Sequence, residues 1–465
     1  MKKSEVTREK TPLLAPVMAI ALLGIAGADH AYAALSLEEA IGLAQKKSEE
    51  ALLLEEKDRR LQSQKRELWA GALPSIQAYA NAGRGAQPLN TAMFGAFAGG
   101  GSDTGTAPSI PPAYNVEQDT YTYGIQVTQP LYSFGRLGQA FSVAGQTIDA
   151  QARSKTRSLQ EIQLQAMDAW YSVVTSKARL DVLDASLKRQ KETVAFMESN
   201  FKMGSGLRSQ VLLAVATLKG LEPERIRAEQ TATSSAMMLN RLLGRDITEP
   251  VEPDTGAHLN SLDRALVKDE ATVKNAVESR PDMQAMRLQK EALFGTARGY
   301  RMQHRPSLGL SGKLGILAYE TDQLTEFDQN KDWSVGVGLT WNLFDGLATT
   351  SKAQQIESDA RTLEITETKI QKMVRIEIET AFEERDAADS AYQAADQAVA
   401  AAREAVELLT QDFRAGKGAV TDLLQAEEGL RNAEFGVLNA RYQLARSRAA
   451  LRVALGMDLL NQETP

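Results

Sequence analysis

The chain has no cysteine in 465 residues, only 3 histidines, and aromatic side chains at just 6%. Without cysteine there is no disulfide framework, no thiolate zinc site, no iron–sulfur cluster, no thiol nucleophile and no lipid-modified N-terminal cysteine. The histidines form no cluster, and no Gly-rich phosphate loop followed by Lys-Ser/Thr or nucleophile elbow occurs, so no enzyme, cofactor or metal site is expected. The many carboxylates read as helix-surface charge. With 53 basic against 60 acidic residues, a net charge of −7, the chain lacks the basic surface of a nucleic-acid binder. The scarcity of aromatics suits long helices better than a large compact core. Beyond the N-terminus no apolar run is long enough for a transmembrane helix.

Residues 1–33 read as a secretory signal. Lys2, Lys3, Arg8 and Lys10 form its basic region, Leu13 to Ala28 its uncharged core, and Ala31-Tyr32-Ala33 its cleavage site. The core has 16 residues and contains Pro16, too short for a membrane anchor. The mature chain then starts at Ala34 with a net charge of −8. An exported chain of this composition spans a membrane only with strands.

The remainder is a duplication. Phe201 to Gly206 (FKMGSG) matches Phe413 to Gly418 (FRAGKG) 212 positions later. Leu239 to Gly244 matches Leu451 to Gly456 at the same spacing, as does Gly124 with Gly336. Leu73-Pro74-Ser75-Ile76 matches Arg305-Pro306-Ser307-Leu308 at a spacing of 232, which places about 20 extra residues between the first two strands. A first repeat over 34–244, a connector over 245–270 placed at mid-height, and a second repeat over 271–465 follow.

Each repeat holds one very long helical run. Gln146 to Met203 has 58 residues without Gly or Pro and Leu347 to Ala415 has 69, roughly 87 and 104 Å at 1.5 Å per residue. Both carry a 3,4-spaced seam, from Leu159, Ile162 and Ala166 to Met197 and Phe201, and from Val374, Ile378 and Ala381 to Leu409 and Phe413. A sustained 3,4 repeat means coiled-coil packing. Shorter helices are expected over Leu207–Leu243, with a kink at Pro223, and over Ala271–Gln303, Ala419–Leu455 and Leu37–Ala70. The first two together, and the last two together, match the length of a long helix, which predicts end-to-end stacking in those pairs.

Strands are expected near 75–83, 121–132, 307–316 and 333–344. Tyr121, Tyr123, Ile125 and Val127 alternate with Thr122, Gly124, Gln126 and Thr128; Trp333 to Leu343 alternates the same way. This is the pattern of a membrane barrel, and equally of a half-buried soluble strand. Four strands cannot close a barrel and an open sheet cannot sit in lipid, so a membrane role demands an oligomer. A Gly/Ala/Ser/Pro-rich loop (Gly83 to Asp119) and a shorter acidic one (Leu317 to Asp332) join the strands.

With the repeat, the strand–long helix–turn–helix order, the motifs FKMGSG and FRAGKGAVTDLLQAEEGL, and ARYQLARSRAALRVALG near the end, the mature chain resembles the TolC-like outer-membrane efflux family. The resemblance implies a mixed α and β fold of mostly long α-helices: a homotrimeric 12-stranded outer-membrane β-barrel, four strands per chain, continued by a periplasmic coiled-coil α-helical barrel. It implies a passive exit duct for a tripartite efflux or type I secretion system, with a periplasmic adaptor (membrane fusion) protein and an inner-membrane pump or ABC exporter as partners. The turns Met203-Gly204-Ser205 and Ala415-Gly416-Lys417 match adaptor-docking tips, and read equally as plain chain reversals. Asp422 matches an entrance carboxylate, and reads equally as a first-turn acid favoured by the helix dipole. The neighbouring gate positions depart from the best-known pattern: Gln425 replaces a second carboxylate, Phe413 an aromatic hydroxyl and Gly418 a basic residue. Arg208 and Lys417 are candidates for other ionic contacts there. The acidic chain, with Asp422 at the mouth, predicts a mild preference for cations. The competing reading is a periplasmic coiled-coil structural or adaptor protein without a pore, which has no need of the strands.

Overall fold

The computed structural model describes residues 34–88, 115–254, 266–321, 325 and 327–460. The expected signal at 1–33, most of the loop at Gly83–Asp119 and the middle of the connector lie outside the described residues. In chain order the elements are α1 (Leu37–Lys47), α2 (Glu49–Ala70), β1 (Ser75–Pro88), β2 (Asn115–Tyr132), α3 (Arg136–Lys202), α4 (Arg208–Leu242), α5 (Glu270–Ser279) and α6 (Pro281–Arg301). A short 3₁₀ turn then leads to β3 (Ser307–Ala318), α7 (Phe327–Asn330), β4 (Lys331–Thr340), α8 (Ala348–Arg414) and α9 (Val420–Ala454).

Helices α3 and α8 are 67 residues each, about 100 Å of rod. Helix α3 starts ten residues before the Gly-free run because Gly138 and Gly145 lie inside it; an internal glycine costs about 1 kcal/mol, which the packing of so long a helix offsets. The α3 seam is buried at Ile162, Ala166, Val173, Leu183, Leu187, Val194 and Met197, and only its last member, Phe201, is exposed. On α8 the ends of the seam are buried, at Val374, Ile378, Ala381 and Val406, while the middle is half-buried. Helix α4 runs through Pro223 as one element.

Two apolar clusters sit at corresponding places. One gathers Ile41, Ala44, Ala51, Ile162, Ala166, Trp170, Leu239 and Leu243. The other gathers Val273, Ala276, Met283, Val374, Ile378, Phe382, Leu451 and Leu455, each the repeat partner of one of these. Fully burying each large side chain stabilises the fold by about 1.5–3 kcal/mol. The first cluster also closes over the chain start: Leu35 bridges the connector at Pro253, and the Trp170 indole donates to the Leu35 carbonyl at 3.1 Å.

The stacking differs from expectation. Gly244, just past α4, abuts the α1–α2 break, so close that a Cβ there would lie 2.7 Å from the Lys47 carbonyl oxygen. Gly456, just past α9, abuts the α5–α6 break, with Arg280 Cγ 3.1 Å from the corresponding point. Each repeat thus stacks its own helices, α4 on α1–α2 and α9 on α5–α6. Helix lengths cannot choose between the two pairings because both sums are equal. The break is made by Ser48, which caps α2 by accepting from Ala51 N–H at 3.1 Å, and by Pro281 at the first position of α6, where its missing N–H costs nothing.

The strands form one antiparallel sheet in the order β1-β2-β3-β4. Ile76 pairs with Val127, Ala78 with Ile125, Ile125 with Leu314, and Leu314 with Trp333. The apolar sets of all four strands therefore share one face, and Gln77, Gln126, Lys313 and Ser334 share the other. Strand β4 ends at Thr340; Trp341 leaves the sheet and donates its indole N–H to the His304 carbonyl at 2.8 Å. Gly124 and Gly315 face each other beneath the Tyr79 ring, whose hydroxyl would lie 2.9 and 2.7 Å from a Cβ at either position.

Candidate functional site

The two helix reversals, after α3 and after α8, have one design. Gly204 and Gly416 take φ of +77° and +71°, which glycine adopts without steric cost. Ser205 N–H bonds back to the Asn200 carbonyl at 3.0 Å, and Lys417 N–H to the Asp412 carbonyl at 2.9 Å. The second glycine of each motif has a different cause. A Cβ at Gly206 would lie 3.0 Å from Phe201 N, and one at Gly418 would lie 3.2 Å from Phe413 N. Any side chain at position 418 would press its Cβ on the backbone of the last turn of α8, which would have to shift by a few tenths of an ångström.

Met203 is 70% exposed and Ser205, Ala415, Gly416 and Lys417 are exposed too, so both reversals present their predicted residues to solvent. Arg208 and Lys417 have no carboxylate partner among the described residues. Above the turns, Val194, Met197, Ala214, Val420 and Leu424 form a small core from α3, α4 and α9. Phe413 belongs to this core: its ring meets Phe196 edge-on, with centroids 5.5 Å apart. Asp422 and Gln425 lie three residues apart on the exposed flank of α9, opposite the core. Asp422 accepts from the Thr421 hydroxyl at 3.3 Å. Of the three expected gate residues, two share a surface and the third, Phe413, is half-buried against Phe196.

Sequence reasoning overlooked Glu427. Five residues past Asp422 and on the opposite side of α9, it is 4% exposed. It accepts from the Gln190 amide and from the Thr193 hydroxyl at 3.4 Å, both on α3. Burial pushes its carboxyl above the usual range, more strongly than the Arg189 charge and the Thr193 bond pull it down. A polar residue in the α3 seam, Gln190, is the one signal that a polar partner awaited it.

The upper end offers a surface of another kind. Trp333, Val335, Val337 and Leu339 on β4 are 61–70% exposed, as are Ile76 at 71%, Ile125 at 52% and Leu314 at 53%. No helix among the described residues is long and apolar enough to cross a membrane. So large an apolar face marks contact with lipid or protein. The outer edges of β1 and β4 have no strand partner among the described residues.

The sequence model of the outer membrane efflux protein family matches residues 56–245 and 272–457. The chain is 26% identical to the outer membrane protein TolC of Vibrio cholerae, over 73% of this chain and 77% of that protein. It is 21% identical to the alkaline protease secretion protein AprF of Pseudomonas aeruginosa, over 73% of this chain and 70% of that protein. Among solved structures, VceC of Vibrio cholerae superposes with a TM-score of 0.69 at 19% identity, covering 91% of this chain and 96% of that one. The Campylobacter jejuni CmeC outer membrane channel does so with 0.72 at 16% identity, covering 90% and 85%.

Proposed function

Because this chain belongs to the outer membrane efflux protein family, we propose that it is an outer-membrane exit duct, conducting cargo passively from an inner-membrane pump or ABC exporter through a periplasmic adaptor to the outside. The observation that carries this reading is the four-stranded sheet: one face is apolar and exposed, and both edges are open among the described residues. Open edges cannot sit in lipid. Copies of the chain joined β4 to β1 satisfy them, and three copies give a 12-stranded barrel with the apolar face outward. The polar face, with Lys313, Ser334, Gln77 and Gln126, then lines the bore. The long helices continue the wall into the periplasm, and the two repeats, 34–244 and 271–465, supply alternate sectors around the connector.

The exposed reversals at Met203-Gly204-Ser205 and Ala415-Gly416-Lys417 are the docking points for the adaptor in this reading. Asp422 and Gln425, on one flank of α9, line the entrance, and Asp422 repeated threefold favours cations there. Phe413 acts on the entrance only through packing.

The test is to purify the protein from outer membranes in detergent and image single particles. A hollow three-fold cylinder supports the duct, and a solid rod soluble without detergent overturns it. Met203→Asp then tests the docking tip: capture of a purified adaptor falls while the trimer persists.

A further inference from the structure

Among the described residues, Glu427 is a buried carboxyl near the tip whose amide partner, Gln190, is left incompletely hydrogen-bonded. Among the buried glutamates, Glu367 is met by Lys290 at 2.7 Å and Arg287 at 3.3 Å. Glu427 has no basic group within 4 Å among the described residues. Its neighbours are the Gln190 amide and the Thr193 hydroxyl, and Gln190 Oε1 is buried with no hydrogen-bond partner. An orphaned buried acceptor costs about 1–3 kcal/mol, so a donor is missing from this contact. Beside it lies a cavity of about 220 Å³ between α3, α8 and α9. The charged groups facing it are Arg189 and Glu192 from α3 and Arg414 from α8. Arg189 Nη2 lies 3.6 Å from Glu434, and its Nε and Nη2 are buried without a hydrogen-bond partner, so its charge acts on Glu427 across the cavity and no hydrogen bond joins the two.

We propose that Glu427 carries the missing proton and forms a neutral acid–amide pair with Gln190, and that this pair is the tie holding α9 of the second repeat to α3 of the first at the tip. In the pair the carboxyl O–H donates to Gln190 Oε1 and the Gln190 N–H donates to the carboxyl oxygen, so each group gives and accepts once. Glu427 is a positioning residue: it sets where α9, with Asp422 and Gln425 on its opposite flank, stands relative to α3. The direction in which burial moves this carboxyl agrees with the protonated form. The sign follows from linkage. A raised folded-state pKa means the tie is intact at low pH and lost as pH rises through that value. Ionisation removes the donor and leaves a charge inside the packed tip, so the entrance loosens as pH rises. The inference rests on the exit-duct reading and deepens it.

The experiment uses the purified full-length protein in planar bilayers across about pH 5–9, together with infrared spectra of the same samples. Wild type should show the carbonyl stretch of a protonated carboxyl, lost as pH rises, in step with an increase in open probability. Glu427→Gln keeps an amide donor and acceptor at every pH; it should lack that band and hold wild type's low-pH behaviour throughout. Glu427→Ala, with no partner for Gln190, should open more than wild type at low pH, by about fivefold to tenfold, the worth of one such bond per protomer, and should not respond to pH. Conductance of wild type that is flat with pH, or a full pH response retained in Glu427→Gln, overturns the tie while leaving the duct in place. Wild type that forms no channel at all overturns the duct reading itself.

Discussion

Arg280 reaches under the end of α9, where its Nη1 donates to the Ala454 carbonyl at 3.1 Å. The same guanidinium pairs with Asp282 and with Glu377, each at 2.8 Å, although its side chain is only 3% exposed. One residue thus caps the end of α9, opens α6 and binds the flank of α8.

Arg280→Met should therefore destabilise the fold by about 1–3 kcal/mol, because it leaves the half-buried Asp282 carboxylate and the Ala454 carbonyl without their donor, while Glu377 keeps Arg157 at 3.4 Å. Arg280→Lys should recover only part of that loss, since an ammonium cannot present two parallel donors to Asp282. Denaturant unfolding of the detergent-solubilised protein measures both; equal stability of Arg280→Met and wild type would remove the joint from the account.

Asp282 gives this joint a pH dependence. Burial alone raises its carboxyl, but the hydrogen bond and charge of Arg280, helped by Arg157 and the Met283 N–H, outweigh burial and hold it below the usual range. A depressed folded-state pKa contributes stability above the ordinary carboxylate value and loses it as pH falls through the depressed one. Asp282→Asn should flatten the acid limb of a melting-temperature profile below about pH 4. A limb as steep as that of wild type would place the acid sensitivity elsewhere.

The glycines divide into two kinds. At Gly244, φ is +63° and a Cβ would press on the Lys47 carbonyl at 2.7 Å, so Gly244→Ala should cost at least about 1–2 kcal/mol. At Gly429, inside α9, nothing lies within 4 Å, and Gly429→Ala should stabilise by about 0.5–1 kcal/mol. Opposite signs in the same unfolding assay are the expected result.

The two faces of β4 should respond differently to one charge. Val335 is 70% exposed on the apolar face, and lysine there meets lipid at a cost of about 2–4 kcal/mol near the bilayer midplane. Ser334→Lys, on the opposite face, meets water in the bore. Unheated gels of outer-membrane fractions should show the trimer band reduced for Val335→Lys and unchanged for Ser334→Lys. Equal effects would mean that neither face is lipidic.

Much of this architecture is visible in spacing alone. The seam from Ile162 to Met197 is readable because a coiled coil repeats one local rule many times, and period-2 alternation sets Ile125 apart from Gln126, and Leu314 from Lys313, on opposite faces of their strands; which residue pairs with which does not follow from it. What escaped reading depends on which element meets which. The stacking of Gly244 on Lys47 rather than on the second repeat is a tertiary choice between equal lengths. Phe413 stands out in the sequence by its position alone, and its half-buried contact with Phe196 depends on which helix lies beside it, which spacing does not show. Glu427 looked like one more acid on a charged helix; only the fold brings Gln190 to it, 237 positions away.

The open edges of β1 and β4 set an order of events for biogenesis. A lone chain cannot wait inside a bilayer with a row of unanswered amides, and in the aqueous periplasm those amides and the bare apolar face invite any passing strand. Subunit encounter and entry into the membrane must then coincide, and the yield of finished channels should climb more steeply than in proportion to the supply of chains. Scarcity of nascent protein, rather than any defect in a single subunit, would be enough to starve the cell of its duct.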